Sequence, residues 1–477
     1  MKKSMILGFA LCVFLGQYTQ AQTFAHGRSS SYQWPEEETV LQKLDHWQDL
    51  KFGMLIHFGL YSELGIVESW SICSEEENWI PRDSTIAYDA YKRDYWATID
   101  RFSPDRLDPE GWARSGKAAG MKYVVFTTKH HDGFCLFDTR QTDFSILHGA
   151  FRDHPRANVA KEVFSAFRNE GYMVGAYFSK PDWHSQNYWW DRYATPNRNN
   201  NYSITKFPWR WEQFKKFTYN QIEELMNGDY GVIDILWLDG GWVRPARPGD
   251  AERQGRNYRG AQDIDMPRIA AMSRSYQPGL LVVDRTVAGE FENYQTPERG
   301  IPDTQLDNPW ESCIPLGNDW GFTPSDKYKS AATLIHNLAE IVAKGGSLLL
   351  GVGPKADGTL PDVVAATLAS IGDWTTKNGK AIYDTRITPA YNDGSTWFTQ
   401  SKDGKKRYAI TCIEEGQPLP ITITWKGNAP YKGSRMIELH TGKSVRWKKS
   451  GDAIEVTLPS GLPQTHPAVA FEFTPAE

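Results

Sequence analysis

The sequence predicts a (β/α)8-like barrel of the TIM type followed by a C-terminal antiparallel β-sandwich. Two observations carry this expectation. Near-continuous apolar runs alternate with helical patterns from about residue 40 to residue 379, and beyond residue 380 the period changes to short alternating segments. Strands apolar on both faces, separated by helices, belong to a parallel sheet, and this many units favours a closed barrel.

The chain begins MKKSMILGFALCVFLGQYTQAQT, with two lysines, an apolar run from Met5 to Leu15, and small residues at Thr19 and Ala21. That pattern reads as a signal peptide over 1–21 and predicts export to the periplasm or the medium. Its apolar run is too short to span a bilayer, and no later segment approaches the roughly 20 apolar residues a spanning helix needs. Insertion into a membrane is therefore not expected.

The helix-spaced stretch TVLQKLDHWQDL leads directly into KFGMLIHFG, a glycine-bounded run that reads as the first buried strand. Further strands are predicted at 122–134, 172–179, 231–241, 279–285 and 347–354. Between them lie the helical patterns DPEGWARSGKAAG, NVAKEVFSAFRNEG, WRWEQFKKFTYNQIEELMNG, IDMPRIAAMSRSYQ and KYKSAATLIHNLAEIVAKGG. The last helical pattern ends at Gly379. Segments such as STWFTQSKDGKKRYAITCI and LPITITWKG then follow, with turn signals KDGK and KSGD. These place a catalytic-type barrel at 22–380 and a sandwich at 381–477.

A formal net charge of −5 leaves no basic field to attract nucleic acid, and a neutral substrate fits better than a polyanion. Nineteen tryptophans are well above ordinary usage, and flat amphipathic rings suit the apolar faces of sugars. Cys73, Cys135, Cys313 and Cys412 are scattered without zinc-type or disulfide-framework spacing. No metal and no cofactor are expected.

Functional side chains of parallel barrels collect at the C-terminal ends of the strands. There the sequence places His57, His130, His131, Asp132, Tyr177, Asp182, His184, Trp237, Asp239 and Arg285. Asp239 ends the run GVIDILWLD just before two glycines, where a substrate can approach the carboxylate closely. Strand alternation points Trp237 and Asp239 to one face and Leu236 and Leu238 to the other. Asp234, early in the same run, reads as structural. A carboxylate so placed suits the nucleophile of a retaining glycosidase, which needs a second carboxyl about 5 to 5.5 Å away.

The stretches KFGMLIHFGLYS, YVVFTTKHHDGFCLFDT, GAYFSKPDWH, ILWLDGGW, VVDR, YQTPERGIP, PWESC and WGF together resemble the alpha-L-fucosidases of glycoside hydrolase family 29. The resemblance implies a retaining exo-glycosidase acting on terminal alpha-L-fucose of oligosaccharides or glycoconjugates, on a barrel followed by a sandwich. It puts the nucleophile on Asp239 and the sugar contacts on His57, His130, His131, Tyr177, Trp237 and Arg285. The family commonly shows a glutamate directly before a tryptophan. This chain has Glu68-Ser69-Trp70, so Trp70 matches and the role of the glutamate is left open. For the acid/base, Glu298 in T-P-E resembles the family motif, with Glu290, Glu292 and Glu311 as alternatives and Asp303 and Asp307 in the same stretch. Trp320, with Phe322, is expected to wall the pocket for the sugar's methyl group. The rival readings are an alpha-L-galactosidase on the same fold, a non-catalytic sugar-binding protein and a zinc hydrolase using the HHD stretch. The loops 183–210 and 242–263 are expected to form the aglycone side.

Overall fold

The computed structural model describes residues 32–476 apart from 74–79, 81, 84 and 256–257, so the expected signal peptide lies outside the described residues. Helix α1 (Glu38–Leu50) buries Val40, Leu44 and Trp47, and the chain turns through Lys51 at φ 59° into strand β1 (Phe52–Ile56). Strands β2 (Tyr123–Lys129), β3 (Met173–Ser179), β4 (Ile235–Asp239), β5 (Leu281–Asp284), β6 (Glu311–Pro315) and β7 (Ser347–Val352) follow. They form one parallel sheet in the order β5-β4-β3-β2-β1-β7-β6. Six of these strands are the apolar runs of the sequence. The seventh, β6, is ESCIP, where a glutamate and a proline interrupt the apolar signal although every residue is buried.

The two edges of this sheet, β5 and β6, are joined by an irregular stave over residues 291–299. Asp284 N donates to Phe291 O (2.8 Å) and Asn293 N to Val282 O (3.0 Å) on one side. On the other, Glu311 N donates to Gln295 O (2.7 Å), Cys313 N to Pro297 O (3.1 Å) and Arg299 N to Cys313 O (2.9 Å). Pro297 has no N–H for a ladder, so the ring closes without an eighth regular strand.

Strand alternation sorts the core into two layers. Leu55, Val125, Tyr177, Trp237, Val283 and Leu349 fill the barrel, and Trp47 of α1 plugs its lower end by stacking on Tyr294 at 4.0 Å. Met54, Val124, Val174, Leu236, Leu238 and Leu350 face outward to the helices. Those are α2 (Leu60–Leu64), α3 (Tyr88–Trp96), α4 (Pro109–Ala119), α5 (Val159–Asn169), α6 (Pro208–Met226), α7 (Asp250–Gln254), α8 (Met266–Tyr276), α9 (Ala331–Ala343) and α10 (Asp362–Asn378). Helix α4 shows why such segments start and stop where they do. Asp108 caps Gly111 N, Pro109 occupies the first turn, and Gly120 at φ 94° ends it.

The second sheet comprises β8 (Thr385–Arg386), β9 (Asn392–Asp393), β10 (Thr396–Ser401), β11 (Arg407–Cys412), β12 (Thr422–Lys426), β13 (Met436–Glu438), β14 (Ser444–Ser450), β15 (Ala453–Thr457) and β16 (Ala468–Phe473). All pairs are antiparallel. Strand β14 pairs with β13 through Val445 and with β15 from Arg446 onward, so the sheet folds over on itself. Phe398, Trp425, Ile454, Val469 and Phe471 fill the space enclosed. Trp374 Nε1 donates to Ala468 O (2.7 Å), and His336 Nε2 lies 2.7 Å from Pro467 O, fastening this sheet to α10 and α9. Among the described residues no helix is long and apolar enough to cross a membrane.

Gly372 on α10 tests this packing. A Cβ there would lie 2.2 Å from the carbonyl oxygen of Ala118 on α4, and backbone cannot give way cheaply. Alanine is the better helix former by about 0.8 to 1 kcal/mol, yet overpacking a core costs about 1 to 3 kcal/mol. Gly372→Ala should therefore lower the urea unfolding midpoint. A midpoint that stays or rises contradicts the contact.

Candidate active site

Asp239 is the last residue of β4, and Gly240 at φ 88° turns the chain away from it. Its Oδ1 accepts from Arg285 Nη1 and from Gly240 N, both at 2.8 Å. Its Oδ2 accepts from Tyr177 Oη at 2.7 Å, with His131 Nε2 3.7 Å away. Burial pushes this carboxyl up. The Arg285 guanidinium and the hydrogen bonds from Tyr177 and Gly240 outweigh burial and hold it well below the usual carboxylate range.

Arg285 follows β5 and is buried. Its Nη2 donates to Glu298 Oε2 at 2.8 Å, its Nε to Thr296 Oγ1 at 3.2 Å, and its guanidinium lies 4.4 Å over the Trp237 ring. One guanidinium thus holds Asp239 and Glu298 on adjacent nitrogens. The irregular stave delivers Glu298, whose backbone bridges to Cys313 of β6. The two carboxylate side chains keep 19% and 24% exposure, so both open to the pocket.

The other acidic residues of this stretch are placed differently. Glu290, Asp303 and Asp307 are exposed. Glu292 is buried beside the Asp284–Lys180 ion pair. Glu311 lies inside the barrel, accepting from Trp237 Nε1 (3.1 Å) and Tyr123 Oη (2.7 Å), and burial pushes it up to about 7. It fixes the indole on which Arg285 rests.

Strand β2 stops at Lys129, and its pairing with β3 slips between Thr127 and Lys129. Beyond that slip the alternation of a regular strand no longer applies. His130 and His131 therefore lie ring to ring at 4.3 Å, both within 4.8 Å of Asp239. Ser179 donates its single proton to Pro181 O (2.6 Å), so His131 Nδ1, 2.7 Å from the same hydroxyl, must carry a hydrogen. Its Nε2 then presents a lone pair to the pocket. His130 Nδ1 meets Ser69 Oγ. Burial keeps both imidazoles neutral, His130 at about 4.

His57 stacks on Trp320 at 5.5 Å and stands edge-on to Tyr177, which stacks on Trp237 at 5.2 Å. Trp70 stands edge-on to His131 at 5.2 Å. The fold brings His57, His130, His131, Tyr177, Trp237, Asp239, Arg285 and Glu298 together, with Trp70 and Trp320 as walls.

A family model described as alpha-L-fucosidase matches residues 19–380. The chain belongs to the alpha-L-fucosidase family. Human plasma alpha-L-fucosidase is 28% identical over 394 residues, covering 78% of this chain and 77% of that one. A solved alpha-L-fucosidase isoenzyme from Paenibacillus thiaminolyticus is 28% identical, with a TM-score of 0.73, covering 92% of this chain and all of that one. The Thermotoga maritima alpha-fucosidase solved with fucose is 26% identical, with a TM-score of 0.70, covering 93% and 100%. This fucosidase-family chain is thus a glycoside hydrolase that removes terminal alpha-L-fucosyl residues. The matches do not favour the alpha-L-galactosidase or the non-catalytic reading.

Three residues expected in the pocket are absent from it. Asp132 accepts from Tyr95 Oη (2.7 Å) and Phe134 N (3.0 Å), and Asp182 pairs with the buried Lys129 (3.1 Å) while capping His184 N and Ser185 N. His184 stacks on Phe144 at 4.0 Å. The chain turns at Gly133, φ 83°, so these side chains brace the loops around this fucosidase pocket. Conversely, Glu68, unassigned from the sequence, is buried and accepts from Trp320 N (2.8 Å) and Gly321 N (2.9 Å). Burial pushes it up to about 7. The separation of Glu68 from Trp70 by Ser69 left its role open in the sequence, and the structure shows it holding these two backbone amides.

His130, His131 and Asp239 also form a donor set that zinc accepts, although no sequence spacing announces it. Both Asp239 oxygens are already engaged, and the guanidinium 2.8 Å away repels a cation from the same carboxylate.

The electrostatics predict a pH effect. With its carboxyl held low, Asp239 is ionised throughout the ordinary working range, and ionisation is lost only as pH falls through that low value. Arg285→Gln removes the main lowering interaction and leaves burial, which raises. The acid limb of kcat/KM for an aryl alpha-L-fucoside should move to higher pH, each unit corresponding to about 1.4 kcal/mol. An acid limb that does not move contradicts this account of Asp239.

Proposed function

We propose that this enzyme cleaves terminal alpha-L-fucosides by double displacement, with Asp239 as nucleophile and Glu298 as general acid and then base. The observation that carries the assignment is the shared Arg285 guanidinium, 2.8 Å from each carboxylate. Retaining glycosidases need their carboxyl groups about 5 to 5.5 Å apart, whereas inverting ones need about 6.5 to 9.5 Å to admit a water. Two carboxylates on neighbouring nitrogens of one planar group favour the closer arrangement.

In the first step Asp239 attacks the anomeric carbon as the bond to the leaving oxygen breaks, and Glu298 gives that oxygen a proton. In the second, Glu298 takes a proton from water, which attacks the same carbon and releases Asp239. The lone pair of His131 Nε2 suits a sugar hydroxyl donor, and His57, His130, Tyr177 and Trp237 supply the remaining contacts. Trp320 and Trp70 offer apolar faces, Trp320 toward the methyl group of a 6-deoxy sugar. An apolar wall rejects an added hydroxyl by only about a hundredfold, so L-galactosides would be poor substrates and not inert ones. We further propose cleavage of the leader after Ala21, export, and division into a barrel over 22–380 and a sandwich over 381–477. The resemblance to a plasma fucosidase supports export.

Asp239→Ala should lose more than a hundredfold in turnover, about 2.7 kcal/mol or more. Glu298→Ala should lose about 10² to 10⁴-fold with natural glycosides and much less in the first step with a nitrophenyl fucoside. Azide should restore its turnover on that substrate and yield a fucosyl azide of retained configuration. Rescue of Glu290→Ala or Glu292→Ala in place of Glu298→Ala would move the acid/base to that residue.

A further inference from the structure

The two adjacent imidazoles of the pocket are each tied to a different serine. His131 Nδ1 lies 2.7 Å from Ser179 Oγ, and His130 Nδ1 meets Ser69 Oγ. Burial keeps both rings neutral, so each carries a single N–H and a single ring lone pair. Which nitrogen holds the hydrogen follows from where the serine proton goes.

The serines are bound in opposite senses. Ser179 donates to Pro181 O (2.6 Å), so it can only accept from His131 Nδ1, and His131 Nε2 keeps the lone pair. Ser69 is 0% exposed, and among the described residues its hydroxyl has no acceptor other than His130 Nδ1. A buried hydroxyl proton without an acceptor costs free energy, so Ser69 donates to Nδ1 and the hydrogen of His130 sits on Nε2. That Nε2 has no hydrogen-bond partner among the described residues. The two rings, with centroids 4.3 Å apart, therefore offer opposite polarity, and ring nitrogens of both lie within 4.8 Å of each other and of an Asp239 oxygen.

The backbone that delivers Ser69 is held in place at a cost. Glu68, just before it, adopts φ 23°, a conformation that side chains rarely take, and its buried carboxylate is anchored on Trp320 N and Gly321 N. Ser179 is the last residue of β3, fixed by the sheet. A sugar hydroxyl both gives and accepts a hydrogen. Two neighbouring hydroxyls can thus complete one directed chain, from the N–H of His130 through both oxygens to the lone pair of His131. Two rings of the same tautomer would break that chain.

We propose that Ser69 and Ser179 are positioning residues that hold His130 and His131 as opposite tautomers, so that the pair selects two neighbouring hydroxyls of one sugar, one accepting and one donating. The proposal rests on the fucosidase reading of this pocket and deepens it.

The full-length enzyme carrying isotope-labelled histidine gives long-range nitrogen–proton spectra that distinguish the tautomers, with His130→Gln and His131→Gln assigning the signals. Near neutral pH the wild type should show His130 protonated on Nε2 and His131 on Nδ1, and the same tautomer on both rings overturns the proposal. Ser69→Ala should move the His130 signals toward the other tautomer, and unmoved signals also overturn it. Inhibition of nitrophenyl alpha-L-fucoside hydrolysis by L-fucose should weaken on the order of tenfold with Ser69→Ala and with Ser179→Ala. For each variant one monodeoxy derivative of L-fucose should be insensitive to the substitution, and the two derivatives should lack neighbouring hydroxyls. Equal weakening for L-fucose and every deoxy derivative contradicts the proposal, because a merely structural loss has that form. If neither variant folds, the wild-type spectrum decides. A wild type that neither hydrolyses the nitrophenyl fucoside nor binds L-fucose would instead refute the fucosidase reading, while the spectra still report the tautomers.

Discussion

The buried Arg285 guanidinium is the interaction on which the rest of the site depends. A charge taken out of water is expensive unless it is paired and its hydrogen-bonding capacity is used. Here the cost is offset by Asp239 and Glu298, by Thr296 Oγ1 and by the face of Trp237. In the proposed mechanism the same contacts decide the chemistry. They keep one carboxylate ionised at the floor of a pocket where burial would otherwise protonate it, and they set a second carboxylate beside it.

Much of the barrel's irregularity serves that arrangement. Residues 291–299 follow a path that regular pairing would not allow, and the path ends with Glu298 turned toward Arg285. Beneath it, Glu311 is held by Tyr123 and in turn holds Trp237, so the indole cannot leave the guanidinium without breaking a buried hydrogen bond. Above, Glu68 fixes the backbone amides of Trp320 and Gly321, and Trp320 stacks on His57. A polar frame of this kind costs little motion at the moment of reaction because its dipoles are already oriented.

The sequence displayed the barrel strands wherever burial on both faces produced an unbroken apolar run. It concealed β6, because Glu311 and Pro315 are buried for reasons of hydrogen bonding and chain direction that hydrophobicity does not register. Strand parity placed Trp237 and Asp239 on one face correctly, since β4 is regular through Asp239. Parity gave no such guidance for the histidines, because the slip at Thr127/Lys129 is a property of pairing and not of local composition. The outward placement of Asp132, Asp182 and His184 was hidden for a related reason. Their partners Tyr95, Lys129 and Phe144 come from distant segments, and only the fold reveals which polar residues are already satisfied.

The central claim is that Asp239 forms a covalent bond to the sugar while Glu298 stands beside it. Incubation with a slow fluorinated alpha-L-fucosyl substrate, followed by proteolysis and mass spectrometry, tests it most directly. The account predicts a single fluorofucosyl adduct on the peptide carrying Asp239, with product of retained configuration when the adduct turns over. An adduct on another carboxylate, or no adduct together with inverted product, would contradict it.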